Sequence, residues 1–171
     1  MARVLVLGHI GAEARPSWAP WGASRSVWRQ DASTSAWQAL APVWERIPQE
    51  VQELYARALV AAGRLEEARA VWPAALPRRD LTWAGMMAAR SATAIGLADR
   101  EAAEECYRLL LPAEGEMAGL STASVTFGPV ATALGDLAVF LGRPEAAAGH
   151  YGLAAEVARQ VGSPHWGEGG A

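Results

Sequence analysis

Lysine does not occur in this sequence: all 15 basic residues are arginine. That choice reflects coding-sequence composition before it reflects function. The arginines are spread along the chain, and 18 acidic residues bring the net charge to −3. A phosphate-tracking surface would need clustered cations, so a main task of gripping nucleic acid is excluded. Only one cysteine is present, Cys106. It cannot form an intrachain disulfide, and a reducing cytoplasm is the expected setting. The three histidines, His9, His150 and His165, have no Cys or His at metal-ligating spacing, so no metal is expected. No apolar run approaches the length of a membrane span, and the apolar core of Met1–Ala12, Val4–Leu7, is too short for a secretory signal. There is no Gly-x-Ser-x-Gly elbow, and Cys106 stands between Glu105 and Tyr107, where an acidic neighbour opposes thiolate formation. The carboxylates, Glu53, Glu66 and Glu67 among them, read as solvated helix faces. No catalytic residue and no cofactor are expected.

What is present is alanine, tryptophan and a repeat. Apolar residues make up 51 %, with 8 Trp against 2 Phe, a composition suited to close-packed helices. Three segments align without gaps: Glu66–Trp72, Glu101–Tyr107 and Glu145–Tyr151. Each puts an alanine four residues before an aromatic, as Ala68/Trp72, Ala103/Tyr107 and Ala147/Tyr151, on one face of a helix. The intervals are 35 and 44 residues. The first is near the ~34-residue period of tetratricopeptide (TPR) hairpins; the second needs extra residues, assigned to a loop at Glu114 to Ser124. The third unit is the clearest, with Gly135, Ala138, Ala147 and Ala154 at close helix contacts. Gly142 ends its first helix and Pro144 sits in the first turn of its second.

Taken in order, residues 1–35 are an irregular or docked N-terminal arm. Its opening Arg3–Gly11 has a strand-and-Gly look, but without the helix and third Gly of a nucleotide-binding unit. Trp18, Trp21 and Trp28 are costly to leave in water and are expected to dock on the helices, with adhesion to a partner as the alternative. The repeat domain spans 36–166, and 167–171 are a tail. A preceding helix carries Ala36, Leu40, Val43, Trp44 and Ile47 on one face. The first hairpin is Gln49–Ala62 with Leu65–Leu76, shortened or kinked at Pro73. The second is Leu81–Ile95 with Asp99–Leu111, and the third begins at Gly128-Pro129 and runs to about Val161. The expected fold is all-α: a TPR-like helical-hairpin superhelix of about three hairpins plus the preceding helix, six to eight helices in all.

An ordered series of segments carries a resemblance: Arg78–Trp83, Tyr107–Pro112, Phe127–Val130, Leu141–Arg143 and Val161–Trp166. It looks like the TPR-like sensor region of large bacterial transcriptional regulators, the LuxR-type ATP-binding and antibiotic-regulatory (SARP) kinds. The resemblance covers about Trp37 to Trp166. It implies a regulatory, cytoplasmic scaffold that binds a protein, a peptide or a small effector and acts in signalling and transcription. The sequence departs from those regulators in having neither a P-loop nor a helix-turn-helix after the repeats, as in an excised domain or a free-standing relative.

The concave face formed by the first helix of each hairpin is the expected site. Aligned on glycine turns at Gly63, Gly96 and Gly142, its positions are Arg57, Arg90 and Asp136, flanked by Glu53, Met86, Thr93, Thr132 and Phe140. Trp83 completes the candidate set. Two arginines in register could clamp a carboxylate or phosphate; the alternative is that they pair with Glu50, Glu53 or Asp136. Neither nucleic acid nor membrane is an expected direct partner, and a homodimer is open to the chain. The rival reading is a small enzyme or carrier with an apolar pocket lined by Trp37, Trp44, Trp83 and the arm.

Overall fold

The computed structural model describes residues 48–119 and 126–163. The N-terminal arm, the preceding helix at 36–47 and the tail, with Trp37, Trp44 and Trp166, lie outside the described residues. Within them the chain is mostly helical and forms three helical hairpins. Helix α1 is Gln49–Ala61 and α2 Leu65–Val71; α3 is Trp83–Gly96 and α4 Arg100–Leu110; α5 is Val130–Phe140 and α6 Pro144–Gln160. Between the second and third hairpins come a 3-10 turn, Leu111–Ala113, and two antiparallel strands, β1 Met117–Gly119 and β2 Thr126–Pro129.

One turn chemistry recurs four times. The N–H groups of Gly63, Ala98, Gly142 and Gly162 donate to the carbonyls of Val60, Ile95, Val139 and Arg159. In each case the following N–H, of Arg64, Asp99, Arg143 or Ser163, reaches one residue further back, to Leu59, Ala94, Ala138 or Ala158. This is the Schellman closure, and it needs a left-handed residue at its centre. Three of the four are glycines, at φ 76°, 79° and 70°; the fourth is Ala98 at φ 56°. The turn of the second hairpin is therefore centred on Ala98 and not on Gly96. The centres at 63, 98 and 142 repeat the 35- and 44-residue spacing of the second helices.

Elsewhere the element boundaries differ from expectation for local reasons. Helix α2 stops at Val71 because Pro73 lies ahead, and Trp72 is already extended at ψ 123°. Helix α3 begins two residues late because Asp80 Oδ1 accepts bonds from the N–H and hydroxyl of Thr82. The expected loop at Glu114 to Ser124 contributes a strand instead. β1 and β2 pack against α3, and β2 also reaches α5 and α6.

The main core joins Met87, Ala94, Cys106, Leu110, Leu134 and Leu137, with Ala118 of β1 and Val130 at the start of α5. A smaller cluster of Ala56, Leu59, Ala68, Val71 and Leu97 holds the first hairpin to the second. Helix α3 is the keel: Gly85 through Ser91 are seven consecutive buried residues. Two turns of helix without an exposed position mean that neighbours cover every side. Among the described residues no helix is long and apolar enough to cross a membrane.

Candidate functional site

Two arrangements hold the side chains of interest. The first lies in the third hairpin. Gly135 permits α5 and α6 to approach so closely that a Cβ there would stand 2.4 Å from the Tyr151 ring. The Tyr151 hydroxyl donates to Asp136 Oδ1 at 2.8 Å. Burial and the Asp136 carboxylate both raise the Tyr151 phenol above its usual range, so it remains a neutral donor.

The second arrangement joins α1, the end of α2 and α3. Arg90 donates to Glu53 Oε1 at 2.5 Å and to the Pro73 carbonyl at 2.9 Å from the same nitrogen. Its other terminal nitrogen faces the Ala74 carbonyl at 3.4 Å. The guanidinium lies 4.7 Å from the centre of the Trp72 ring, whose N–H donates to Glu53 Oε2 at 3.0 Å. Both charged side chains are buried, Glu53 completely and Arg90 to 5 % exposure. Burial pushes the Glu53 carboxyl up, and Arg90 and the Trp72 bond oppose that push. Glu53 is thus an interior strut and not a solvated face.

Of the arginine pair proposed to line the groove, only Arg57 holds that position. Six residues before the turn centres lie Arg57, Ala92 and Asp136. Arg90 stands opposite Leu134, a position that faces the core in the third hairpin. Its fork is engaged by Glu53 and two carbonyls, the pairing alternative raised by the sequence. Met86, Thr93 and Thr132 are likewise buried. Asp136 is held by Tyr151, and Phe140 is partly buried against the core. Trp83 packs partly on the same core with Arg79 over its ring at 4.5 Å. Since Trp37 and Trp44 lie outside the described residues, the Trp-lined pocket has only this one described wall.

Arg57 is different. Among the described residues it has no carboxylate partner; its guanidinium lies 4.8 Å from the centre of the Phe127 ring on β2. Burial strips part of its solvation and lowers its affinity for the proton, while an arginine stays charged at physiological pH. The inserted strands therefore fold over α3 and put an aromatic floor under the one cation that keeps the groove register.

Two further groups escaped sequence reasoning. His150 is buried: Tyr107 Oη lies 2.9 Å from its Nε2, and Glu114 Oε2 is 3.5 Å from its Nδ1. Arg143 lies over the Tyr107 ring, 5.1 Å from its centre, and pairs with Glu104. Cys106 is buried in the main core, and loss of solvation pushes its thiol up to about 11, which keeps it protonated and a poor nucleophile. The chain matches no protein-family model, no curated protein and no solved structure.

Proposed function

We propose that this chain is a non-catalytic recognition module that binds an acidic peptide, protein segment or small effector on the face formed by the first helices of its hairpins. One observation carries the reading. Arg57 is a partly desolvated cation on an aromatic floor, at the groove register, without a carboxylate among the described residues. A cation so placed loses hydration that an incoming carboxylate or phosphate restores with paired hydrogen bonds. Asp136, at the same register two hairpins away, adds a charge of opposite sign and would set the direction of an extended ligand. A regulatory role in transcription rests on the resemblance to bacterial regulator sensor regions.

The test begins with extended peptides selected from a display library on the full chain and titrated by calorimetry. The selected sequences should be enriched in Asp and Glu, and their affinity should fall with added salt. Arg57→Ala should weaken them about 10- to 150-fold, the equivalent of the ~1.5–3 kcal/mol carried by a charged hydrogen bond. Arg57→Lys should recover part of that loss, because an ammonium cannot reproduce the planar fork. Peptides that bind wild type and Arg57→Ala equally would overturn the reading.

A further inference from the structure

Counting back from the turn centres Gly63, Ala98 and Gly142 sets the first helices in register, and burial divides their common face into bands. Ten residues back stand Glu53, Ala88 and Thr132, all buried. Six residues back stand Arg57, Ala92 and Asp136, each partly exposed. Two residues back, Ala61 is exposed, and Gly96 and Phe140 are partly exposed. The face is thus closed toward the helix N-termini and open from the level of Arg57 onward. Helix α3 packs against both α1 and α5, so the open band crosses the helices in the order Arg57, Ala92, Asp136. Its ends carry opposite charges and its middle is a methyl group. At one end Phe127 lies against the Arg57 guanidinium. At the other the Tyr151 hydroxyl, a neutral donor, directs the Asp136 carboxylate without cancelling its charge.

The geometry points to a bipolar peptide as the occupant of this band: an extended chain with an acidic side chain on Arg57 and a basic one on Asp136, about five or six residues apart. The inference rests on reading Arg57 as the cation of the groove, and it adds a second anchor and a distance. Packed helices lie about 8–10 Å apart, so the two steps from α1 through α3 to α5 cover roughly 16–20 Å. An extended chain advances ~3.3 Å per residue, which turns that span into about five or six residues. Between the anchors Ala92 offers no polar side-chain group, so the intervening residues are selected only for staying extended. The acid meets the planar fork of Arg57, and the base meets a carboxylate; both contacts are charge-assisted. A ligand acidic at both ends would set its second carboxylate against Asp136, and that like-charge contact rejects it.

Peptides of Gly, Ser and Gln carrying one Asp and one Arg, at separations of about two to eight residues, read the distance when titrated onto the full chain by calorimetry. Wild type should bind best at about five or six, at least about tenfold tighter than at either extreme, the equivalent of one charged hydrogen bond. At the best separation, replacing the peptide's Arg by Asp should cost more affinity than replacing it by Gln. Asp136→Asn keeps an acceptor for Tyr151 and removes the charge, so it should flatten the series and make those two replacements equal. A flat series in wild type, no binding at any separation, or a maximum that persists in Asp136→Asn would overturn the inference. In the flat case, binding that still needs the peptide's Asp and Arg57 would leave the recognition reading standing. Peptides that bind Arg57→Ala as tightly as wild type would overturn both.

Discussion

The second and third hairpins answer the same packing problem with opposite chemistry. At one register position α5 carries Leu134 and α3 carries Arg90, and both are buried. In the third hairpin the neighbouring position is Gly135, the crossing is filled by the Tyr151 ring, and α6 runs 17 residues without interruption. In the α1–α3 contact the guanidinium needs an anion and acceptors. Glu53 supplies the first, and the Pro73 and Ala74 carbonyls supply the rest. Those carbonyls are free because Pro73 ends α2 after seven residues. A short second helix and a buried arginine thus occur together. The lesson is that the repeat fixes which positions are inside, and the neighbouring element decides whether an inside position can be charged. A buried ion pair adds little net stability over an apolar pair but punishes the loss of either partner.

The comparison can be broken at either end. Removing the acid from the α1–α3 contact should have the largest effect: Glu53→Ala leaves Arg90 buried beside carbonyls alone, at a cost of about 3–5 kcal/mol in chemical denaturation followed by circular dichroism. Gly135→Ala attacks the third hairpin, where the new methyl must displace the Tyr151 ring; a loss of roughly 1–3 kcal/mol is expected in the same measurement. Tyr107→Phe removes the bond to His150 that ties the second hairpin to the third, worth about 1 kcal/mol. The smallest effect should be a gain. Ala98 is exposed and left-handed, so Ala98→Gly should raise stability by up to about 1 kcal/mol, visible as a melting temperature a few degrees higher.

Much of this architecture was legible because each alanine–aromatic pair marks a helix face by itself. Ala68/Trp72, Ala103/Tyr107 and Ala147/Tyr151 located the second helices, and their spacing carried the register. The first helices were harder. Gly96 resembles a turn glycine but is needed for the approach of Val60, while the turn itself is made by Ala98 at a conformation that alanine rarely takes. Applying the 35- and 44-residue spacing to the first helices would have put Arg90 opposite Leu134 and withdrawn it from the groove. The burial of Glu53 was not legible locally, because its partner is 37 residues away. The strands left only a faint trace: Val125-Thr126-Phe127 favours extended backbone, yet the two strands are three and four residues long. Arg57 was identified in sequence, but its contact with Phe127 spans 70 residues and depends on where the insertion folds.

The account turns on the claim that Arg90 is a strut between hairpins and not a hand extended to a ligand. A double-mutant cycle on Glu53→Ala and Arg90→Ala, measured by equilibrium unfolding of the full chain, addresses it most directly. The sum of the two single losses should exceed the loss in the double mutant by a coupling of about 1.5–3 kcal/mol, because once one charge is gone the other has no buried partner left to lose. Losses that simply add would contradict the account and return Arg90 to the groove.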